Sequence, residues 1–190
     1  FNSNSEPTWT GVDFVGRTNK PFVFLPNGDM YVVESDSNNS RFYLHKMNKT
    51  TMAITASYDI ETLGGFSFAA IALINTALYN PLTGNILLSI QNTATTFIFA
   101  TFNPITTAVI DKGEYTNALA GTVVIDQDND IIYCLGGVPS SSNAIVAFSA
   151  STEDFLESIG GANITGSSPL NGAVFNPESQ KFFTAKNQEN

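Results

Sequence analysis

The sequence predicts an all-β domain built from one repeated unit. An apolar run, a short polar turn and a second apolar run occur together four times along the 190 residues. Pro26, Pro81, Gln127 and Pro177 hold the same place in the four copies, at spacings of 55, 46 and 50 residues. Charged residues form only 13% of the chain, and Asn, Ser and Thr fill polar positions instead, as suits strands and turns. A period of this length indicates one supersecondary unit repeated.

The first unit, residues 21–60, shows how the strands are predicted. Asn27 and Gly28 tolerate the positive φ of a two-residue type I′ turn, which predicts a hairpin. Residues 41–47 alternate, with Phe42 and Leu44 on one face and His45 on the other. The predicted strands of this unit are 21–25, 30–34, 41–47 and 51–58.

The later units, 76–115, 121–160 and 171–190, repeat this arrangement within a single domain, 1–190. The apolar segment 66–79 is predicted as buried strand, and no segment predicts a convincing helix, including 152–159. The predicted strands are 76–79, 85–90, 96–102 and 107–110; 121–125, 130–136, 144–148 and 155–159; and 172–175 and 180–186.

Four short antiparallel strands per unit are typical of the blade of a β-propeller. The first strand of each blade is the most apolar, so we expect it to line the central channel and be buried on both faces. The last unit lacks two strands, and residues 8–16 are predicted to supply one or both. Two alternatives stay open, a run of blades from a larger propeller and a β-sandwich.

The repeated motif resembles a known group of proteins. Residues 30–33, Met-Tyr-Val-Val, and residues 80–86, Asn-Pro-Leu-Thr-Gly-Asn-Ile, carry it best. This motif is similar to that of YVTN-type and related surface-protein propellers. The resemblance implies a surface, adhesion or binding module, and some members of such families are lactonases or other hydrolases.

The charge of the chain excludes two classes of partner. The formal net charge is −9, with only 8 Lys and Arg residues. Nucleic acid and anionic membrane surfaces would be repelled by most of this surface. The longest apolar run, 66–79, is shorter than the ~20 residues of a membrane span, so no membrane insertion is expected.

One loop predicts a metal site. Asp126, Asp128 and Asp130 alternate in a turn, and alternating carboxylates suit a hard cation such as Ca²⁺. Calcium-binding propellers such as those of integrins carry a similar loop, with a Gly where this chain has Ile131. The alternative is a solvated turn, because Asp and Asn are preferred there. Apart from this calcium ion, no cofactor is expected.

The remaining residues that could take part in catalysis are each predicted to have a structural role. His45 is the only histidine, so a Ser-His-Asp triad or a histidine metal site would have to use it; we predict an exposed strand residue. Cys134 is predicted as a buried small hydrophobic residue. Glu153 and Asp154 are predicted as solvated turn residues.

N-glycosylation sequons begin at Asn38, Asn48 and Asn163, all on predicted turns.

These observations favour a non-enzymatic extracellular or particle-surface module. Its blade loops would contact protein or glycan, and exposed sheet edges would let copies associate with each other. One alternative is a propeller lactonase or hydrolase with a divalent metal in the central channel, held by Glu34, Asp126 and Asp130. Another is a lectin.

Overall fold

The computed structural model describes residues 21–36, 41–69, 72–93, 96–116, 122–135, 144–160, 173–176, 178 and 181–184. These ranges contain 14 strands and one short helix. The strands form three four-stranded antiparallel sheets and one two-stranded sheet. The predicted all-β class is therefore confirmed. Residues 8–16, predicted to complete the last unit, lie outside the described residues.

Each sheet is a meander in which strands adjacent in sequence pair with each other. The first sheet contains β1 (Phe22–Phe24), β2 (Met30–Asp36), β3 (Arg41–Met47) and β4 (Ile54–Asp59). The second contains β5 (Leu73–Tyr79), β6 (Ile86–Gln91), β7 (Thr96–Phe102) and β8 (Val109–Thr116). The third contains β9 (Thr122–Asp126), β10 (Ile131–Leu135), β11 (Ala144–Ser149) and β12 (Phe155–Gly160). A hairpin of β13 (Ala173–Asn176) and β14 (Lys181–Thr184) follows.

The second sheet is packed on both of its faces. Ile86, Leu88 and Ile90 join one apolar cluster with side chains of the first sheet. Leu87 and Phe99 join another cluster with side chains of the third sheet. A strand covered on both faces needs no polar alternation, which explains the nearly continuous apolar sequence of β6.

The first strands of successive units lie next to one another. β1 contacts β5, β5 contacts β9, and β9 contacts β13. The prediction that each first strand is buried on both faces is wrong for β1, because Phe22 and Phe24 are 62% and 59% exposed while Val23 is buried. The second sheet covers only the Val23 face of β1, and the two phenylalanines lie on the opposite face.

Four hairpin turns share one backbone hydrogen bond, in which the N–H of a left-handed residue donates to the carbonyl oxygen four residues earlier, at 2.8 Å in each turn. In the β3–β4 turn, Asn48 Oδ1 accepts from two backbone N–H groups of the turn, and Met52 takes a left-handed φ of 57°. In the β7–β8 turn, Asn103 does the same and Thr107 has a φ of 59°. The β5–β6 and β11–β12 turns have left-handed residues at Gly84 and Glu153. The same backbone turn therefore recurs in all three four-stranded sheets.

The β1–β2 turn differs from its predicted type. Gly28 N–H donates to Leu25 O, and Leu25 N–H donates to Asp29 O, both at 2.9 Å. Gly28 has a φ of +84°, whereas Asn27 is not among the residues with a positive φ. The loop therefore has three residues with Gly in the left-handed position, because Pro26 has no N–H to donate in the residue pair that closes a two-residue loop, and Leu25 closes the loop instead.

The prediction that the chain has no helix is wrong. Helix α1 (Ile60–Gly64) begins after Asp59, whose carboxylate accepts from Thr62 N–H at 3.1 Å, and ends at Gly65 with a φ of 67°. Both capping residues are of the preferred kind. The strand predicted over 66–79 accordingly begins only at Leu73. Within the described ranges, no helix has the length and apolar character needed to cross a membrane.

Candidate functional site

Three side chains form a hydrogen-bonded chain across the first sheet. His45 Nε2 lies 2.7 Å from Glu34 Oε2, and His45 Nδ1 lies 2.8 Å from Ser57 Oγ. His45 is only 6% exposed, Glu34 is half-buried and Ser57 is exposed. The prediction that His45 is an exposed strand residue is therefore wrong. Its imidazole is covered, and both ring nitrogens have partners.

Strand register explains why these three residues meet. His45 of β3 lies directly opposite Val32 of β2 and Ser57 of β4. Glu34 is two residues beyond Val32, so its side chain leaves the same face of the sheet at a diagonal position. The apolar cluster takes its residues from the opposite face. The chain is thus fixed by three rigid, adjacent strands and not by loops.

The hydrogen-bond partners favour one tautomer of the neutral His45 ring. An ionised carboxylate can only accept, so this tautomer has its proton on Nε2 and donates it to Glu34. His45 Nδ1 is then the acceptor for the Ser57 hydroxyl proton. A serine hydroxyl bonded to an imidazole, which is in turn oriented by a carboxylate, is the arrangement that activates a nucleophile.

Aromatic and charged groups surround this chain. The Tyr43 ring stacks beside the His45 ring, with centroids 5.9 Å apart and an interplanar angle of 18°. Arg41 pairs with Asp59 at 3.1 Å. Register places Phe22 in the same cross-strand row as His45 and Ser57. The face therefore combines exposed aromatic area with groups that donate and accept hydrogen bonds.

The predicted calcium loop is held together by its own hydrogen bonds. Asp126 is buried, and its carboxylate accepts from Asn129 N–H at 3.3 Å and from Asn129 Nδ2 at 2.7 Å. Asp130 Oδ2 accepts from Ser151 Oγ at 2.9 Å and Ser149 Oγ at 3.0 Å, and these bonds lower the pKa of Asp130. Asp128 is exposed. Calcium binding by these three residues stays a prediction.

The structure does not assemble a cluster of metal-ligating side chains from the residues it describes. No group of three or more His, Cys, Asp or Glu side chains that could hold a metal ion occurs among them. Glu34 belongs to the first sheet, whereas Asp126 and Asp130 belong to the third sheet and its turn. The second sheet lies between them, so these three carboxylates are not brought to one place.

Of the three sequons, only the one at Asn48 lies within the described residues. Asn48 is exposed in the β3–β4 turn, where its Oδ1 accepts from the backbone N–H groups of Thr50 and Thr51, each at 2.9 Å. The amide side chain is thus accessible at a turn. Asn38 and Asn163 lie outside the described residues, and glycosylation stays a prediction for all three.

The prediction that Glu153 is a solvated turn residue is wrong. It is 2% exposed, and its carboxylate accepts from Asn80 Nδ2 and Asn85 Nδ2, each at 2.9 Å, and from Thr83 Oγ1. Asn80 Nδ2 also donates to Ala150 O at 2.8 Å. This network ties the β5–β6 turn of the second sheet to the β11–β12 turn of the third. Three asparagine and threonine side chains donate these four hydrogen bonds, which makes the network a structural connection.

Comparisons with known proteins do not assign the chain to a family. No protein-family model matches it, and no curated protein matches it at a significant level.

Proposed function

We propose that this chain is a β-propeller domain that works as a structural and binding module on a cell or particle surface. Its main role is non-enzymatic, and it contacts protein or glycan through the turns at one end of its blades. The low charge and the Asn-, Ser- and Thr-rich surface support an extracellular location.

The stacking of the sheets supports the propeller. In a propeller each blade packs on both neighbours, and the first strand of each blade lies beside the first strands of the adjacent blades. The second sheet here is covered on both faces, and contacts run from β1 to β5, β9 and β13 in order. A two-layer sandwich leaves one face of each sheet to solvent, so the doubly covered second sheet favours the propeller.

The binding role depends on the turn end of the sheets. Register pairs Tyr79 with Ile86 and Ile86 with Phe102, so the β5–β6 and β7–β8 turns leave the second sheet at the same end. Ile105 is 91% exposed at the tip of the β7–β8 turn, and its backbone N–H donates to Asn103 Oδ1 at 2.9 Å. Leu82, also exposed, lies in the β5–β6 turn. Large apolar side chains on rigid tips provide contact area at low entropic cost. The exposure of Leu82 and Ile105 on these turns is the observation that carries the proposal.

The test is binding of the intact, fluorescently labelled chain to an array of immobilised glycans and extracellular-matrix proteins. We expect binding to a restricted set of spots, and the double variant Leu82→Ser, Ile105→Ser should lose it while keeping its melting temperature. Leu63→Ser, at an exposed leucine of helix α1 and outside both turns, serves as the matched control. Equal binding by the double variant and the control would overturn the role of the turn end.

Restriction of the binding to glycan spots would identify a lectin. A crystal structure of the chain tests the fold separately, since a two-layer sandwich would overturn the propeller whatever the array shows.

A further inference from the structure

We propose that Ser57 is an activated nucleophile that is acylated by carboxylic esters, with His45 as its general base and Glu34 as the positioning residue. This activity goes beyond the proposed binding role and uses a different surface. The chemistry requires a hydroxyl that solvent can reach, a base within hydrogen-bond distance of it, and a group that orients the base.

The geometry supplies all three requirements. Ser57 is exposed, and its Oγ lies 2.8 Å from His45 Nδ1. His45 Nε2 lies 2.7 Å from Glu34 Oε2, which favours the tautomer that leaves Nδ1 free of a proton. The roles of the two ring nitrogens are exchanged relative to the usual serine-protease arrangement, but either nitrogen of imidazole is a competent base.

The position of Ser57 suits an ester that approaches from solvent. Ser57 lies on β4, which pairs only with β3 among the residues that the structure describes. A strand at the edge of a sheet presents backbone N–H groups outward, and such donors can stabilise the oxyanion of a tetrahedral intermediate. Phe22 and Tyr43, on the same face, offer apolar area to the acyl or aryl group of the ester.

In the acyl transfer, Ser57 is the nucleophile and His45 carries the proton. Ser57 Oγ forms a bond to the ester carbonyl carbon, and its proton moves to His45 Nδ1. The bond from that carbon to the alkoxy oxygen then breaks, and the leaving alcohol takes the proton from His45. Water attacks the acyl-serine by the same route, which releases the carboxylic acid and restores the Ser57 hydroxyl.

The chain contains a matched control at the same place in the third unit. Ser158 is an exposed serine on the outer strand β12, and it lies opposite Val146 as Ser57 lies opposite His45. It holds the same register position on an outer strand, opposite a buried valine of the cluster between the second and third sheets in place of the imidazole. A comparison of the two serines therefore contrasts an exposed hydroxyl with and without an imidazole partner.

The experiment measures release of p-nitrophenolate from p-nitrophenyl acetate by the intact chain, together with the mass of the acetylated peptide. We expect acetyl on Ser57 and not on Ser158. Release should fall in Ser57→Ala and in His45→Gln by on the order of 10²-fold or more, the usual contribution of a general base. Ser158→Ala should match the unchanged protein.

Ser57→Ala changes an exposed side chain, so its circular dichroism spectrum should be unchanged even if His45→Gln fails to fold. Release that is unchanged in Ser57→Ala, or acetyl found only on lysine or tyrosine, would overturn the proposal. Neither result bears on the binding test, because Leu82 and Ile105 are remote from this face.

Discussion

Two carboxylates at the turns of this protein, Glu153 and Asp130, are each held by several partners at once. Glu153 accepts hydrogen bonds from three side chains of the preceding unit, and Asp130 accepts from two serines and from Ser151 N–H. A buried carboxylate is stable only when such donors replace the water that it has lost. The hydrogen bonds of Glu153 therefore help to fix how the second and third sheets pack together, although this side chain contributes little hydrophobic area.

Removing the Glu153 carboxylate should weaken the connection between these sheets. Glu153→Ala leaves Asn80 and Asn85 with unsatisfied amide groups, so we expect the free energy of unfolding to fall by about 3 kcal/mol. Urea denaturation of the two proteins measures this difference. Glu157→Ala, at an exposed position of β12, is the control and should change stability by less than about 0.5 kcal/mol. Equal effects of the two substitutions would contradict a structural role for Glu153.

The single cysteine should be chemically silent in the folded protein. Cys134 is buried in the cluster between the second and third sheets, which confirms its predicted burial, and burial raises the pKa of its thiol. Since the thiolate is the reactive form, we expect the reaction with a disulfide reagent to be limited by unfolding. The absorbance of the released thiol, followed in buffer and in urea, tests this. Rapid, complete reaction of the native protein would show that the cluster opens easily.

At the scale of elements, the hairpin turns are the most regular feature of the chain. Each described turn of this type ends in a left-handed residue, and three of these residues, Met52, Thr107 and Glu153, are neither glycine nor asparagine. A β-branched residue is strained at a positive φ, because its side chain crowds the backbone. The turn that ends at Thr107 is therefore strained at a position where glycine would fit better.

Replacing one of these residues by glycine should stabilise the protein. Thr107 has a φ of 59°, so Thr107→Gly relieves strain and should raise the free energy of unfolding by about 1 kcal/mol. The neighbouring Thr106 has no positive φ, and Thr106→Gly should lower stability because glycine adds freedom to the unfolded chain. Thermal unfolding of both variants gives the comparison. A lower melting temperature for Thr107→Gly would mean that its side chain contributes more than the strain costs.

Elements whose signal lies in their own sequence were predicted well. The bounds predicted for β3 and β7 are those of the structure, because alternation or a continuous apolar run is framed by turn residues on both sides. Helix α1 was missed, since five residues are too few to show a period of 3.6 and only its caps, Asp59 and Gly65, mark it. The Asn27-Gly28 signal failed because the preceding proline determines the turn.

The candidate site could not be predicted in the same way. His45 is buried because Glu34 and Ser57 come from the strands on either side, 11 and 12 residues away, and its partners depend on register. The partners of Glu153 are about 70 residues distant in the sequence. One sequence contains no direct signal for such pairs. Register, once known, explains both.

At the scale of the whole molecule, opposing ionisations set the range of pH in which the fold is stable. The pKa of Asp29 is lowered by its bond to Lys46, that of Asp130 by Ser151 and Ser149, and that of Asp154 by Lys112. In the other direction, burial raises the pKa of Tyr115 from 10.0 to about 12 and raises that of Cys134 above 9.0.

The lowered carboxylate pKa values produce the acid limb of the profile of stability against pH, and the raised pKa values of Tyr115 and Cys134 produce the alkaline limb. Carboxylates with a lowered folded-state pKa stabilise the protein fully above their usual value of 3.8, and this contribution is lost as the pH falls below 3.8 and through the lower folded-state pKa. Groups with a raised folded-state pKa leave stability intact below their unfolded values, and stability is lost as the pH rises above 9.0 for Cys134 and 10.0 for Tyr115.

We therefore expect the free energy of unfolding to be nearly flat between roughly pH 5 and pH 8 and to fall on both sides. Urea denaturation at constant ionic strength across this range measures the profile. Two variants separate the limbs: Lys112→Met removes the partner of Asp154 and should flatten the acid limb alone, whereas Cys134→Ala should flatten the alkaline limb alone. Stability that rises as the pH falls below 3.8 would contradict the lowered carboxylate pKa values, since protonation would then favour the folded chain.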